Sequence, residues 1–368
     1  ASQLFITVKG RKTPYVYDTV TGKIYPADYR HKNGKTEIRH TFYRYDSLLL
    51  RLDDAKEQRE EYCGVSAPAQ PSAVLDFKTP LDYKLGEPNV LVLDMPEWSE
   101  DGENYQPAEE MLRIDLKLRE KYGYPKADGI DVQPWVIGEV RPEKSVYLKF
   151  VIRSETAPVV KLAFEEAESV MLNGVKVPVT KDGYFTDAHI FTMPLGKLKK
   201  GENQLVVKAP LGRRTSLENM FLLGQFGVKV CGAQAFITAK PKKLAFGDIT
   251  TQGLPFYGAD VTYKVPFECG DCDLNVNTTL FGAAVVTAKL DGKEIPAFAF
   301  PPYRTEVKGV KAGRHDFYRA SYPRKYVRYA AHLQRGGLEG TRRVVRQRAR
   351  LGVRVSAERV GYSQVAFN

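Results

Sequence analysis

A chain of 368 residues, 43% hydrophobic and 27% charged, has room for two or three domains and is too apolar to be disordered throughout. No apolar run reaches the roughly 18 residues of a membrane span, which rules out an integral membrane protein, and four cysteines are too few for a disulfide-built scaffold. The formal net charge of +11 invites a nucleic-acid partner, but eleven Arg, one Lys and only two acids lie from Arg319 onward, so residues 1–318 are close to neutral. The start, Ala1-Ser2-Gln3-Leu4, has neither Met nor a signal peptide, so the chain is expected to be processed or a piece of something longer.

Strand signals open the chain. Ser2–Val8, Tyr15–Tyr17, Thr36–Tyr45 and Ser47–Leu52 are β-branched or aromatic runs. Thr21-Gly22-Lys23 and Asn33-Gly34-Lys35 separate them, the second being a hairpin signal. Asp53–Glu61 is a charged run read as a solvated strand end or short helix, and the Pro/Ala/Ser-rich Cys63–Ser72 reads as a linker. A second block begins near Ala73. Val90–Asp94 reads as a buried strand. One helix follows, with Pro107 at its first position, Met111, Ile114, Leu118 and Tyr122 at helical spacing, and Gly123 as its stop. Strands are then predicted at Ser145–Arg153, Val159–Phe164, Ser169–Leu172, Lys176–Val179, Ala188–Thr192 and Gln204–Lys208. Their spacing with turns between them argues a β-sandwich or jelly roll. A third block, 235–318, is again β: Gln234–Thr238, Asp260–Pro266, Leu274–Thr279, Val285–Leu290, Ala297–Phe300 and Thr305–Val310.

Past Phe317 the strand pattern is expected to stop, and residues 319–368 trade Lys for Arg. Three readings stand for this tail. It is a basic arm for phosphates or acidic polysaccharide, a solvated tail without function, or out-of-frame translation of a GC-rich segment, which an abrupt Lys-to-Arg switch in mid-domain would produce. On the third reading nothing after Phe317 carries function.

Two landmarks recur in the same order in the second and third blocks. Asn173-Gly174-Val175-Lys176-Val177-Pro178 corresponds to Asp291-Gly292-Lys293-Glu294-Ile295-Pro296. Leu198-Lys199-Lys200-Gly201-Glu202-Asn203 corresponds to Val310-Lys311-Ala312-Gly313-Arg314-His315. The first is a tight hairpin that needs positive φ; the second is a polar Gly turn before the strand that closes the sheet. Their repetition predicts an all-β fold of tandem β-sandwiches, with one short helix in the middle block.

The landmark pair, with Tyr184-Phe185-Thr186-Asp187 and Leu217-Glu218-Asn219-Met220-Phe221-Leu222-Leu223-Gly224-Gln225-Phe226-Gly227-Val228, resembles the galactose-binding-like jelly roll found beside catalytic barrels in many glycoside hydrolases. Gln133-Pro134-Trp135, Gly247-Asp248 and Gln252-Gly253-Leu254-Pro255-Phe256-Tyr257-Gly258 extend the likeness. Together these look like the C-terminal, non-catalytic portion of large bacterial glycosidases of the α-L-rhamnosidase-like or family-2-like kind. The resemblance covers roughly residues 75–318. It implies that residues 1–62 end a β-rich domain following a catalytic barrel, that 73–234 form a galactose-binding-like sandwich, and that 235–318 form a second, truncated one. The partners it implies are the upstream catalytic barrel of the same polypeptide and oligosaccharide from plant or microbial glycans. The family continues past the point matching Phe317 with another strand and a polar, aromatic segment, and this chain departs there.

Glycoside hydrolysis needs two carboxyls facing each other across the scissile bond. Glu218, followed by Asn219, is the best single acid, read as a carboxylate pinned at the sandwich rim; no partner can be nominated for it. Asp187 and His189 alternate on a strand and so share a face, just after the aromatic Tyr184. That pairing suits a glycan platform with convergent polar groups, or a solvated strand face. Trp135 is a second platform or a core plug, and Gln252 and Tyr257 lie in an aromatic-capped turn or a ligand-contacting loop. Cys269-Gly270-Asp271-Cys272 lacks the second pair that a zinc ribbon needs and the following helix of a thioredoxin-type site, so it reads as a hairpin loop with two thiols. Phosphate-loop, dinucleotide, zinc-protease and serine-hydrolase motifs are absent. No cofactor, metal, membrane or nucleic-acid partner is expected; a stand-alone carbohydrate-binding or adhesion module and a nucleic-acid-binding tail are the rival readings. The compartment is left open, with a cytoplasmic location favoured, and the chain alone is expected to hydrolyse nothing.

Overall fold

The computed structural model describes residues 2–19, 22–43, 46–63, 73–74, 80–125, 142–232, 234–278, 283–301, 303–323 and 353–358. Contacts divide the described residues into two compact units, one drawn from 2–84, 261–323 and 353–358, the other from 85–260. The fold is all-β and sandwich-like, with one α-helix. No helix among the described residues is long and apolar enough to cross a membrane.

The N-terminal part of the first unit contains β1 (Ser2–Lys9), β2 (Lys12–Tyr17), β3 (Ile24–Pro26), β4 (Asp28–Lys32), β5 (Lys35–Phe42) and β6 (Leu50–Asp54). They form two three-stranded sheets, β1-β5-β4 and β3-β2-β6. The Asn33-Gly34 turn takes φ of 51° and 72°, the double left-handed geometry of a tight hairpin, and sets the Lys32–Lys35 register of β4 and β5. Val16, Ala27, Tyr29 and Ile38 make a small core. Buried His31 ties the sheets together: its Nε2 donates to the Lys12 carbonyl (2.9 Å) and its Nδ1 accepts the Arg59 N–H (3.0 Å), which fixes a neutral tautomer. The charged run Asp53–Glu61 begins as the exposed end of β6 and continues as irregular chain tied to β4 through Arg59 and His31, without forming a helix.

β7 (Ala73–Val74) and β8 (Asp82–Leu85) lead to the middle sandwich. Its strands are β9 (Asn89–Leu93), β10 (Glu97–Ser99), β11 (Lys144–Ser154), β12 (Val159–Phe164), β13 (Ser169–Leu172), β14 (Val175–Val177), β15 (Gly183–Phe185), β16 (Asp187–Lys197), β17 (Gly201–Leu211), β18 (Met220–Gly224), β19 (Gly227–Cys231) and β20 (Gln234–Thr238). One sheet runs β14-β13-β17-β11-β20-β19 with β10 beside β11; the other runs β15-β16-β12-β18-β9. Alternate residues of β11 (Val146, Leu148, Phe150, Ile152) and β17 (Leu205, Val207, Ala209) face one core with Leu162, Phe164 and Leu222 from the opposite sheet. β20, which the sequence places at the start of the last block, pairs here with β11 and β19.

The helix α1 (Met111–Tyr122) begins at Met111 rather than Pro107. Gln106 bridges back to Trp98, which keeps the chain extended through Pro107. The helix starts where Glu110, in extended conformation, accepts the Arg113 N–H on its own carboxylate (3.1 Å) as N-cap. Gly123 closes it at φ 66°. Met111, Ile114 and Leu118 join the sandwich core.

The remaining strands are β21 (Val261–Cys269), β22 (Cys272–Thr278), β23 (Ala283–Leu290), β24 (Lys293–Phe298), β25 (Arg304–Val310), β26 (Gly313–Pro323) and β27 (Val353–Glu358). Their sheets are β24-β23-β26-β21-β8 and β25-β22-β27-β7. β26 continues to Pro323, past the expected stop at Phe317, and β27 inserts between β22 and β7. The alternating, β-branched Val353-Arg354-Val355-Ser356 explains the second departure from an unstructured tail.

The order β14-β13-β17-β11 in one sandwich is reproduced as β24-β23-β26-β21 in the other, and β12 pairs β16 as β22 pairs β25. The two landmarks are the places where each copy is tied. In the first, Asn173 sits at φ 51°; its N–H donates to the Gln204 carbonyl (2.8 Å) and its Oδ1 accepts the Gln204 N–H (3.0 Å). Its Nδ2 donates to Asn203 Oδ1 (3.1 Å), and buried Asn203 holds the Lys199 carbonyl through its own Nδ2 (2.8 Å). In the second copy Asp291 sits at φ 48°, bonds Asp316 through the same two backbone contacts (3.0 and 2.9 Å), and meets His315 Nδ1 at 2.7 Å. His315 Nε2 reaches the Lys311 carbonyl at 2.9 Å. The second tie replaces an amide pair by an ion pair at the same positions.

Both ring nitrogens of His315 face acceptors, which suits the imidazolium. Burial opposes its protonation, but the Asp291 carboxylate and the Lys311 carbonyl outweigh it and raise the pKa. Burial likewise opposes ionisation of Asp291, and the His315 hydrogen bond overcomes it and lowers the pKa. The histidine's contribution is complete below its unfolded value of about 6.5 and is lost as pH rises through the higher folded one. The aspartate's is complete above about 3.9 and is lost as pH falls through its lower folded value. The tie is therefore strongest between about pH 4 and 6.5. Calorimetry of the parent chain should show the melting temperature falling between about pH 6 and 8, and His315→Asn, which gives the second copy the chemistry of the first, should flatten that fall.

Candidate functional site

The rim of the middle sandwich is built on α1. Asp115 and Arg119 lie one turn apart on the same arc as Met111, Ile114 and Leu118, and their side chains, 2% and 0% exposed, pair at 2.6 Å. Arg119 also donates to the carbonyls of Pro125 (2.8 Å) and Thr215 (2.5 Å) and to the Ser216 hydroxyl (3.1 Å). Asp115 Oδ1 accepts the Leu217 N–H at 3.0 Å. A buried ion pair is tolerable only when its remaining donors and acceptors are engaged, and here they are engaged by the Pro125 carbonyl just past the helix and by the loop between β17 and β18. That loop is thereby fixed from beneath, and Glu218 is carried to the edge of an open hollow.

The hollow, about 270 Å³ including its mouth, is lined by Leu148, Glu165, Glu166, Ala209, Pro210, Ser216, Leu217, Glu218 and Met220. Burial pushes the Glu218 carboxyl up to about 7, with the charges of Glu165 and Asp115 adding to it and Arg119 opposing. Glu165 is raised too, first by burial, then by Glu166 and Asp187, while His189 acts against the rise. Asp187 and His189 thus act electrostatically on Glu165, and Glu165 in turn on Glu218. Near neutral pH Glu218 can donate or accept a hydrogen bond. Among the described residues the hollow leaves only about 10 Å³ for the centre of a water-sized molecule, so it does not offer a sugar ring the room that two opposed carboxyls need.

Asp187 and His189 do share a solvent face: Asp187 Oδ1 accepts the His189 N–H (2.9 Å) and meets its Nδ1 at 3.1 Å, with the two side chains 62% and 89% exposed. Thr186, at φ 68°, is the single residue joining β15 to β16, and the register shifts between Tyr184 and Phe185 beside it. Tyr184 is exposed and stands opposite Phe191, whose ring carries the Lys181 ammonium 3.3 Å from its centroid. Asn219 is half-buried, its Oδ1 without a hydrogen-bond partner among the described residues. The Gln252 amide braces its own loop: its Oε1 accepts the Ala245 N–H (2.8 Å) and its Nε2 donates to the carbonyls of Ala245 (3.1 Å) and Asp248 (3.2 Å). Tyr257 is fully buried, its hydroxyl donating to the Asp260 carbonyl (2.7 Å) and accepting the Glu87 N–H (3.2 Å), and burial pushes its pKa up to about 12. Trp135 lies outside the described residues. Among the described residues no three His, Cys, Asp or Glu converge to hold a metal ion.

Sequence reasoning missed Glu165, Asp115 and Arg119. The helix pair had a signal, since positions 115 and 119 share the apolar arc of the helix and only a mutually paired acid and base could be buried there. Glu165 had none, because its approach to Glu218 depends on how β12 and β18 are joined.

No protein-family model and no curated protein matches the chain. Among solved structures it is similar to a β-D-mannosidase from Dictyoglomus thermophilum, at 13% identity over 64% of this chain and 31% of that one, TM-score 0.25. It is similar as well to a GH2 β-galacturonidase from Eisenbergiella tayi, at 11% identity over 68% and 39%, TM-score 0.23. A rhamnosidase from Novosphingobium sp. PP1Y matches at 16% identity over 55% and 20%, TM-score 0.22. All three are glycoside hydrolases, the likeness is distant, and the chain spans well under half of each.

Two outcomes are expected at this rim. Arg119→Met leaves Asp115 buried without its partner and should lower the unfolding free energy by about 3–5 kcal/mol, read from urea denaturation. For Glu218 the folded pKa stands above the unfolded one, so its ionisation costs stability as pH rises from about 4.3 to about 7. Glu218→Gln should match the parent at pH 4.5 and exceed it on the order of 1 kcal/mol at pH 8 by the same measurement.

Proposed function

We propose that the chain is the accessory, non-catalytic portion of a glycoside hydrolase acting on plant or microbial glycans. On this reading its sandwiches are galactose-binding-like jelly rolls that support a catalytic barrel upstream in the same polypeptide. The observation that carries the proposal is the repeated tie, because the landmarks on which the resemblance rests are the residues that close each sandwich: Asn173 with Asn203, and Asp291 with His315. The hollow at Glu218 supports a supporting role over a hydrolytic one, since it has a poised acid and too little space.

Glycan contact falls to the exposed face of β15 and β16. Tyr184 offers an aromatic ring, and Asp187, His189 and Lys181 offer polar groups beside it. Binding is measured by calorimetry against plant and microbial oligosaccharides. Tyr184→Ala should weaken it roughly tenfold, a loss of about 1.4 kcal/mol. The chain should show no turnover of aryl rhamnosides or galactosides. Turnover that Glu218→Gln abolishes would overturn the accessory role.

A further inference from the structure

The second sandwich passes from one sheet to the other between β21 and β22, through Cys269-Gly270-Asp271-Cys272. In the middle sandwich the equivalent corner follows Ser154, which stands opposite Gly201 as Cys269 stands opposite Gly313. Ser154 donates its hydroxyl to the Thr156 carbonyl, 2.8 Å away. Here Cys269 is followed three residues on by a second thiol, Cys272; the two bracket a two-residue bend, standing opposite Gly313 and Val310 at the two ends of the β25–β26 turn, and both cysteines are free. Cys272 is 4% exposed and Cys269 is partly open to solvent. The corner is anchored to the β25–β26 turn, with Asp271 Oδ1 accepting the Ala312 N–H (2.7 Å) and Cys269 Sγ 3.9 Å from the Lys311 carbonyl.

We propose that Cys269 and Cys272 form a reversible dithiol–disulfide site that staples the two sheets of the second sandwich when a small disulfide of the oxidised-glutathione class is present. Cys269, the more accessible thiol, loses its proton to solvent, and its sulfur attacks one sulfur of the small disulfide. One glutathione thiolate leaves and a mixed disulfide remains on Cys269. Cys272 then gives up its proton, its sulfur attacks Cys269 Sγ, and the second glutathione leaves as a thiolate. Two protein thiols and one small disulfide become one protein disulfide and two small thiols. The accessibility of the two thiols favours this order, because an incoming disulfide reaches the partly open Cys269 before the buried Cys272. Burial, with Asp271 and Asp291 nearby, nevertheless holds Cys269 above its ordinary value, and burial pushes Cys272 up to about 12, so the exchange accelerates with alkaline pH. The ring closed is short, which removes little chain entropy and keeps the link exchangeable.

The test uses the full chain carrying Cys63→Ser and Cys231→Ser, equilibrated at pH 8 in graded mixtures of reduced and oxidised glutathione, alkylated and peptide-mapped by mass spectrometry. The segment holding Cys269 and Cys272 should become lighter by two hydrogens and resist alkylation until dithiothreitol is added. Cys272→Ser should instead accumulate glutathione on Cys269. Mapping the unsubstituted chain keeps the test decisive if the substitutions unsettle the fold. Both thiols remaining alkylatable at every glutathione ratio would overturn the proposal, as would a glutathione adduct on Cys269 that persists beside an intact Cys272.

Discussion

Each sandwich is shut by one side chain that serves a turn and a strand together. A tight hairpin needs residues that accept positive φ, which favours Asn, Asp and Gly. Asn and Asp also carry oxygen acceptors, so the residue that makes the turn can capture a backbone N–H of the closing strand. Asn173 does this for Gln204 and Asp291 does it for Asp316. The hairpin's position relative to the closing strand then sets the order of the sheet, and two copies of the tie yield two sheets of the same order. Around that frame the rest is ordinary alternation of buried and exposed positions along β11, β17, β21 and β22.

The copies differ in how their ties respond to surroundings. Asn173 and Asn203 have no titrating group, whereas Asp291 and His315 have two. The middle sandwich keeps its ionisable chemistry elsewhere, in the Asp115–Arg119 pair and in Glu218. Those groups stand on opposite sides of one loop: the pair below is fully engaged, and the acid above is held where burial and neighbouring carboxylates compete with its charge. A fixed loop is what makes that competition possible, because a mobile one would let Glu218 swing into water.

What the sequence made legible was local. The Asn-Gly and Asp-Gly turns, the alternation of the long strands, the helix stop at Gly123 and the shared face of Asp187 and His189 all depend on residues close along the chain. The helix start was misread because Pro107 suits a first helical position, while the bridge from Gln106 to Trp98 that keeps it out of the helix is a tertiary contact. Short strands such as β10 and β15 exist because a long neighbour offers them a partner, and their own few residues carry no periodicity. The landmark Asn203 was visible as part of a turn, but its role as the far end of the tie needed the fold. Glu165 and Glu218 belong to the same class, joined only once β12 and β18 are paired.

The Asp115–Arg119 clamp has a consequence for how such a module can diverge. Three polar contacts join one short helix to a loop roughly a hundred positions away, and each half is costly without the other. Helix and loop therefore constitute a single heritable part: a descendant that discards the helix must rewrite residues 215–217, and one that lengthens the loop must remodel the helix face. Recombination that swaps strands around them leaves the part intact, whereas a crossover between the two would strand a charge in the core.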